Sequence, residues 1–358
     1  MNSKATKGQG AVQNVHNHFE RNLYEKTFYE DAYLSEDGEP EESVVKTEYL
    51  EVFPKTIMND VRRKGMPLEF SMNPYQGCEH GCAYCYARPT HEYWGYSAGV
   101  DFERKIMVKR NAPDLLEKLF QKKNYQPHTF MLSGNTDCYQ PIERKLEITK
   151  NILQICLDYK HPVGIITKNA LILRDLDILK QLAELNLVNV AISIPTINEN
   201  LRKKLEPRTS TIANKLGTIE VLSQNKIPVM AMVAPIIPGL NSDEILKVLK
   251  KVSELGAVDF GYTLVRLNDT VEPVFTEWLE QHFPDRKEKI LNQIRSIHSG
   301  KLNERLAIKR YVGKGNIADM IHQSFRIGRQ KYFKDKPKRE PLTTKLFIGK
   351  QSAQLSLF

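Results

Sequence analysis

From residue 68 onward, six short runs rich in β-branched and other apolar residues alternate with amphipathic segments, and this alternation limits the possible folds more than any other feature. The runs at 68–73, 128–133, 163–167, 188–194, 229–234 and 258–265 are predicted strands, and the segments at 114–122, 143–159, 174–185, 212–224 and 243–255 are predicted helices. The last helix is well punctuated, with Ser242 as N-cap, Glu244 and Ile245 in the first turn and Gly256 just past the end. Apolar strands joined by helices are parallel strands buried on both faces. Six such units build either a partial (β/α)6 TIM-like barrel or a doubly wound open sheet, and periodicity alone does not choose between them.

A chain of 358 residues with 41% apolar and 27% charged residues has the composition of a soluble globular protein, which excludes fibrous, low-complexity and wholly disordered classes. No stretch reaches the roughly 18 consecutive apolar residues of a membrane span, and no apolar core of a signal peptide opens the sequence, so a cytoplasmic protein is expected. Charge is uneven: residues 1–60 hold twelve acids against six Lys or Arg, a net −6 out of a total +9, which leaves +15 on the remainder. A basic body admits a polyanionic partner. The expected organisation is an acidic, partly disordered leader at 1–60, in which 49–52 docks as an extended segment. A partial barrel at 61–270 follows, then a helical extension at 271–333 with helices near 275–282 and 285–297, and a basic flexible tail at 334–358. The run 326–339 carries seven Lys or Arg against one Asp, a phosphate-contacting surface or a solvated linker. The Pro235 to Asn241 stretch reads as a rigid loop below the site.

Five cysteines stand at 78, 82, 85, 138 and 156. In a reducing compartment their odd number argues against a disulfide framework, so clustered thiols read as ligands. Cys78, Cys82 and Cys85 are spaced x3 then x2 in a segment directly after the first predicted strand. Three thiolates hold three irons of a cubane cluster and leave the fourth iron without a protein ligand. A zinc site closed by His80 or His91 is the alternative, weakened by the lack of a second Cys pair. Cys156 shares an apolar helical face with Ile148, Ile152 and Ile155 and reads as core. Tyr93 and Trp94 either stack a base or pack the barrel wall, with packing expected.

The cysteine spacing C-x3-C-x-aromatic-C after a first strand resembles the radical S-adenosylmethionine (SAM) superfamily. The longer matches GCEHGCAYCYARPTHEYWG, GVDFERKIMVK, TDCYQPIE, PIIPGLN and GYTLVRL are similar to its spore photoproduct lyase-like branch, labelled DNA repair photolyase. The resemblance implies a partial (β/α)6 barrel with N- and C-terminal extensions, a 4Fe-4S cluster on Cys78, Cys82 and Cys85, and SAM chelating the open iron. One electron from the cluster then cleaves SAM to methionine and a 5′-deoxyadenosyl radical that abstracts a substrate hydrogen. It further implies that Tyr84 lies near the adenine, that Ser133, Asn135 and Thr136 contact the methionine amine region, that Lys168 pairs with the methionine carboxylate and that Ser193 adds a polar contact. A thiol donor returns hydrogen to the product radical in this branch. Cys138 is the candidate here, although the branch places its donor slightly before the shared Asp137, where this chain has Gly134.

The implied function is lesion repair on DNA or another nucleic acid, fed by an electron donor such as flavodoxin or ferredoxin. A radical enzyme acting on tRNA, a peptide or a small metabolite is the second reading, and a metal- or nucleic-acid-binding module without turnover is the third. The closing residues Gln354, Leu355, Ser356, Leu357 and Phe358 resemble the short peptide that docks on a replication sliding clamp, an extended segment with two apolar anchors.

Overall fold

The computed structural model describes residues 8, 46–62, 69–268, 270–303 and 312–349. Its strands are β1 (Glu48–Val52), β2 (Met58–Asp60), β3 (Phe70–Met72), β4 (Tyr75–Gln76), β5 (Lys105–Lys109), β6 (Phe130–Leu132), β7 (Val163–Thr167), β8 (Val188–Ser193), β9 (Val229–Ile236) and β10 (Asp259–Leu264). The helices are α1 (Asp101–Arg104), α2 (Ala112–Phe120), α3 (Glu143–Leu146), α4 (Ile148–Asp158), α5 (Leu176–Glu184), α6 (Glu199–Leu205), α7 (Ile212–Gln224), α8 (Ile245–Glu254), α9 (Val271–His282), α10 (Lys287–Ile297) and α11 (Asn316–Tyr332). All six expected strands are present.

Strand order decides what periodicity left open. The main sheet runs β10-β9-β8-β7-β6-β3-β2, so the six parallel strands follow one another without reversal and only the edge strand β2 is antiparallel. Right-handed crossovers that always step the same way put every helix on one side of the sheet, which curls it into a partial barrel; a doubly wound sheet needs a reversal. The register Phe130 to Val163 to Val188 stacks apolar side chains in layers. The helices bury matching stripes, such as Ile245, Val248, Leu249 and Val252 on α8. The segment expected to dock at 49–52 is β1, a parallel partner of β5 in a second, three-stranded sheet β1-β5-β4.

Two local readings are corrected. The helix expected over 143–159 is split, because Glu147 takes a left-handed conformation (φ 50°) between α3 and α4. The Glu143 carboxylate folds over to accept the Thr149 amide (3.0 Å), capping the second helix with a buried charge. Ser242 is not the cap of α8, which begins at Ile245; its hydroxyl accepts the Gly239 amide (3.3 Å), and Glu244, in the cap position, spends its carboxylate on Ile197 N (2.9 Å) and Thr196. The Pro235 to Asn241 turn is held by the buried Asn241 side chain, which accepts Ile237 N and donates to Pro195 O and Pro235 O.

Both exposed regions of this incomplete barrel are covered. α11 lies along β10, with Phe325 stacked on Tyr262 at 3.7 Å between ring centroids and His322 bonded to the Tyr262 hydroxyl. Beyond α11, the segment expected to be a flexible tail is packed through residue 349. Lys336 donates to Ser253 O, Asn186 donates to Pro341 O, Thr343 N donates to Asn186 O, and Ile348 N donates to Tyr159 O. Phe347 closes this strap against Phe120, Tyr125 and His161. Asn186, Tyr159 and His161 all lie at or just before the strand starts, so the strap crosses the underside of the barrel. Arg329, paired with Asp259, and Arg339, against Met230, belong to the same end, which commits part of the basic run to the body. Most of the leader, the segment 304–311 and the closing residues Gln354 to Phe358 lie outside the described residues. Phe347→Ala is expected to lower the free energy of unfolding by about 1–3 kcal/mol in urea titration; no measurable change would mean that the strap does not stabilise the barrel.

Candidate functional site

The segment 73–86 leaves the end of β3 and turns under glycine control. Gly77 (φ 79°) and Gly81 (φ 65°) are both left-handed. At Gly77 a Cβ would meet Lys105 O at 2.8 Å and Phe102 O at 3.1 Å, so the backbone passes where no side chain fits. Cys78 N then donates to Phe102 O at 2.8 Å, docking the loop on the end of α1.

Buried polar groups fasten this loop from three sides. Glu79 accepts Tyr49 Oη (2.8 Å) from β1 and Ile142 N (2.9 Å), while its own amide donates to Gln140 Oε1 (3.0 Å). Arg88, fully buried, donates to Cys82 O (2.8 Å), Ala98 O and Gly99 O and is neutralised by the equally buried Glu103. On the third side Ala83 N donates to Leu205 O and Arg208 N to His80 O, joining the loop to the turn after α6.

Cys78 and Cys82 are buried and Cys85 is partly exposed. Burial, then the charge of Glu206, pushes the Cys82 thiol well up, and burial also raises Cys85. A metal that binds such thiols displaces their protons. Among the described residues no three Cys, His, Asp or Glu groups converge closely enough to hold a single metal ion. Three thiols on one short loop suit a polynuclear group bridged by its own sulfides. His80 is occupied elsewhere: its Nδ1 lies 3.3 Å from Asp137 Oδ2, across the gap to the end of β6. Burial opposes charge on both partners, yet each holds the other ionised, His80 lifted to about 9 and Asp137 drawn down to about 2.

Asp137 also accepts Lys168 N (2.8 Å), Thr167 Oγ1 (2.7 Å) and Tyr139 N (2.9 Å), which ties the ends of β6 and β7 to the cysteine loop. Lys168 itself is partly exposed, and among the described residues its ammonium makes no hydrogen bond or ion pair. Burial works against its charge, but Cys82, Glu206, Asp137 and Cys85 around it outweigh that and raise its pKa. A cation beside Cys82 and Cys85 with no partner among the described residues is a ready anchor for an anion.

The other expected contacts divide. Tyr84 is buried and gives its hydroxyl to Glu206. Ser133, held at φ 74°, accepts Cys138 N (2.6 Å), and Thr136 donates to Tyr75 O (2.7 Å), so both hydroxyls shape the turn after β6. Asn135 donates to Thr90 Oγ1 (3.1 Å), and Ser193 ends β8 in a buried position. Cys138 has no exposed surface and belongs to the main core with Leu132, Ile148 and Ile152. Cys156 is core, as expected. Tyr93 (75% exposed) and Trp94 (42%) do not pack the barrel wall, contrary to expectation; they follow the cysteine loop and face solvent. Tyr86 beside them donates to Gly134 O (2.8 Å) and lies under the Arg266 guanidinium (5.3 Å). Sequence reasoning missed Glu79, Arg88, Gln140, Glu206 and Lys215. Lys215 alone carried a signal, a charge on the otherwise apolar stripe Ile212, Ile219, Leu222 of α7.

The sequence profile of the radical SAM superfamily matches residues 72–252. An uncharacterized protein of Mycobacterium tuberculosis is 29% identical over 238 residues, covering 66% of this chain and 70% of its own length. An uncharacterized protein of Methanocaldococcus jannaschii is 29% identical over 248 residues, covering 69% of this chain and 88% of its own. Among solved structures, spore photoproduct lyase complexed with dinucleoside spore photoproduct superposes with a TM-score of 0.58 at 15% identity, over 80% of this chain and 79% of that one. A mutant of that lyase with bound AdoMet and the same dinucleoside gives 0.57 at 15% identity over 79% of each chain. At these identities the structural likeness is one of fold. Gly77→Ala is expected to lower the iron bound per chain after anaerobic reconstitution well below wild type, whereas Gly217→Ala, in open space on α7, leaves it unchanged; equal iron in both variants would refute the close-approach argument.

Proposed function

The chain belongs to the radical SAM superfamily, enzymes that use a 4Fe-4S cluster and S-adenosylmethionine, and on that footing we propose that it acts on nucleic acid in the manner of a spore photoproduct lyase. Bound together, the cluster and SAM supply a 5′-deoxyadenosyl radical that abstracts hydrogen from the substrate. The protein's own contribution is placement and exclusion of water. Cys78, Cys82 and Cys85 would hold the cluster, with Glu79, Arg88 and Gln140 fixing the loop that carries them. Lys168 would anchor the methionine carboxylate, and Tyr84 would flank the adenine with its hydroxyl already satisfied by Glu206. Ser133, Asn135, Thr136 and Ser193 would lie around the methionine end of SAM, Ser133 and Thr136 chiefly as groups that shape the turn after β6.

The fold likeness to spore photoproduct lyase over four-fifths of both chains is the observation that carries the substrate reading. Two features agree with it. The part of the chain beyond residue 60 carries +15, suited to a polyanion. Tyr86, Tyr93 and Trp94 offer exposed rings beside the cysteine loop, the kind of surface on which bases stack. A one-electron donor of the flavodoxin or ferredoxin class is the protein partner. Cys138, sealed in the core, serves packing in this reading, and hydrogen return to the product falls to another group.

Anaerobically reconstituted protein is expected to release 5′-deoxyadenosine from SAM, Cys78→Ala to abolish that release, and DNA to alter its rate where RNA and peptide pools do not. Stimulation by RNA or peptide alone would move the substrate to the second reading, and a colourless zinc protein would reject the chemistry. Cys138→Ala is expected to keep 5′-deoxyadenosine formation and product distribution, with stability lowered by about 1 kcal/mol; a changed product distribution would restore it as the hydrogen donor.

A further inference from the structure

Two buried carboxylates act electrostatically on Lys168, whose ammonium has no partner among the described residues, and each is already matched to a different cation. Asp137 is paired with His80 at 3.3 Å. Glu206, fully buried in the turn after α6, accepts the Tyr84 hydroxyl on one oxygen and Lys215 Nζ on the other at 2.5 Å. Lys215 is 1% exposed and stands on the inward stripe of α7, where an apolar residue would pack at lower cost. The turn that carries Glu206 is also in register with Lys168, since Ser210 N donates to Lys168 O (3.2 Å). Glu206 is therefore within electrostatic reach of two ammonium groups and is claimed by one.

We propose that Lys215 is a positioning residue whose ion pair with Glu206 keeps Lys168 free to receive the carboxylate of SAM. Removing Lys215 leaves a buried carboxylate without a counter-ion, and Lys168 is a cation within its electrostatic reach that has no partner among the described residues. Once Lys168 turns to Glu206, an incoming carboxylate has to break an existing buried pair before it binds. The same Glu206 holds Tyr84, so the carboxylate that must stay away from Lys168 also fixes the aromatic side of the cysteine loop. The inference rests on the reading of Lys168 given above.

The test is SAM affinity by anaerobic calorimetry on reconstituted full-length protein of matched iron content, together with the electron paramagnetic resonance change that SAM induces in the reduced cluster. Lys215→Met is expected to weaken SAM binding by about tenfold or more. The double variant Glu206→Gln with Lys215→Met, which has no buried charge left to capture Lys168, is expected to return to within about threefold of wild type. Undiminished affinity in Lys215→Met, or a double variant as weak as the single one, overturns the proposal. If Lys215→Met does not fold, Lys215→Gln removes the charge while keeping a hydrogen bond to Glu206 and is read the same way. Lys168→Met, measured alongside, separates the two ideas. Wild-type affinity in that variant defeats the Lys168 assignment itself, whereas lost affinity there with normal binding in Lys215→Met defeats only the role of Lys215.

Discussion

Asp137 is the group on which the geometry of the site depends. One buried carboxylate takes a histidine from the cysteine loop, the backbone amide of Lys168 and the hydroxyl of Thr167 from the end of β7, and the amide of Tyr139 from its own turn. A charge in that position is tolerable only because each lone pair is matched. The result is that the loop bearing three thiols cannot shift relative to the strand ends without stranding a charge in the interior. Arg88 and Glu103 repeat the device on the opposite side of the loop, and Glu206 with Lys215 on a third.

This arrangement fastens a segment rich in glycine and cysteine to the strand ends and to α1. Its backbone passes too close to α1 for a side chain at Gly77, and burial raises the pKa of the Cys82 and Cys85 thiols. Among the described residues no carboxylate pairs with the Lys168 ammonium, although Glu206 and Asp137 lie within its electrostatic reach. The covering elements divide the labour differently. α11 and the strap over residues 333–349 close the edge and the underside of the barrel, leaving the strand C-terminal ends to the chemistry.

Much of the fold was legible. β7 and α7 fall where their periodicity put them, and the other strands differ by a few residues at their ends. These features depend on patterns within a dozen residues, which a single stretch of sequence displays in full. The breaks were not legible. The helix over 143–159 divides because Glu143 bends back on Thr149, and Ser242 loses the cap of α8 to a turn bond with Gly239. In both, a side chain had two local partners and the surrounding packing chose. Tyr93 and Trp94 went the other way, aromatic residues expected inside that the fold leaves in solvent.

By itself the sequence determined the βα alternation, the three-thiol loop and the uneven charge, since each is written in local spacing or in composition. Only the tertiary structure decided that the sheet closes as a partial barrel, that Cys138 is sealed in the core, and that, among the described residues, Lys215 has an ion-pair partner and Lys168 has none. The physical reason is distance along the chain. Tyr84 meets Glu206 across 122 residues and His80 meets Asp137 across the barrel mouth, and a charge acquires its role from the neighbour that folding brings to it.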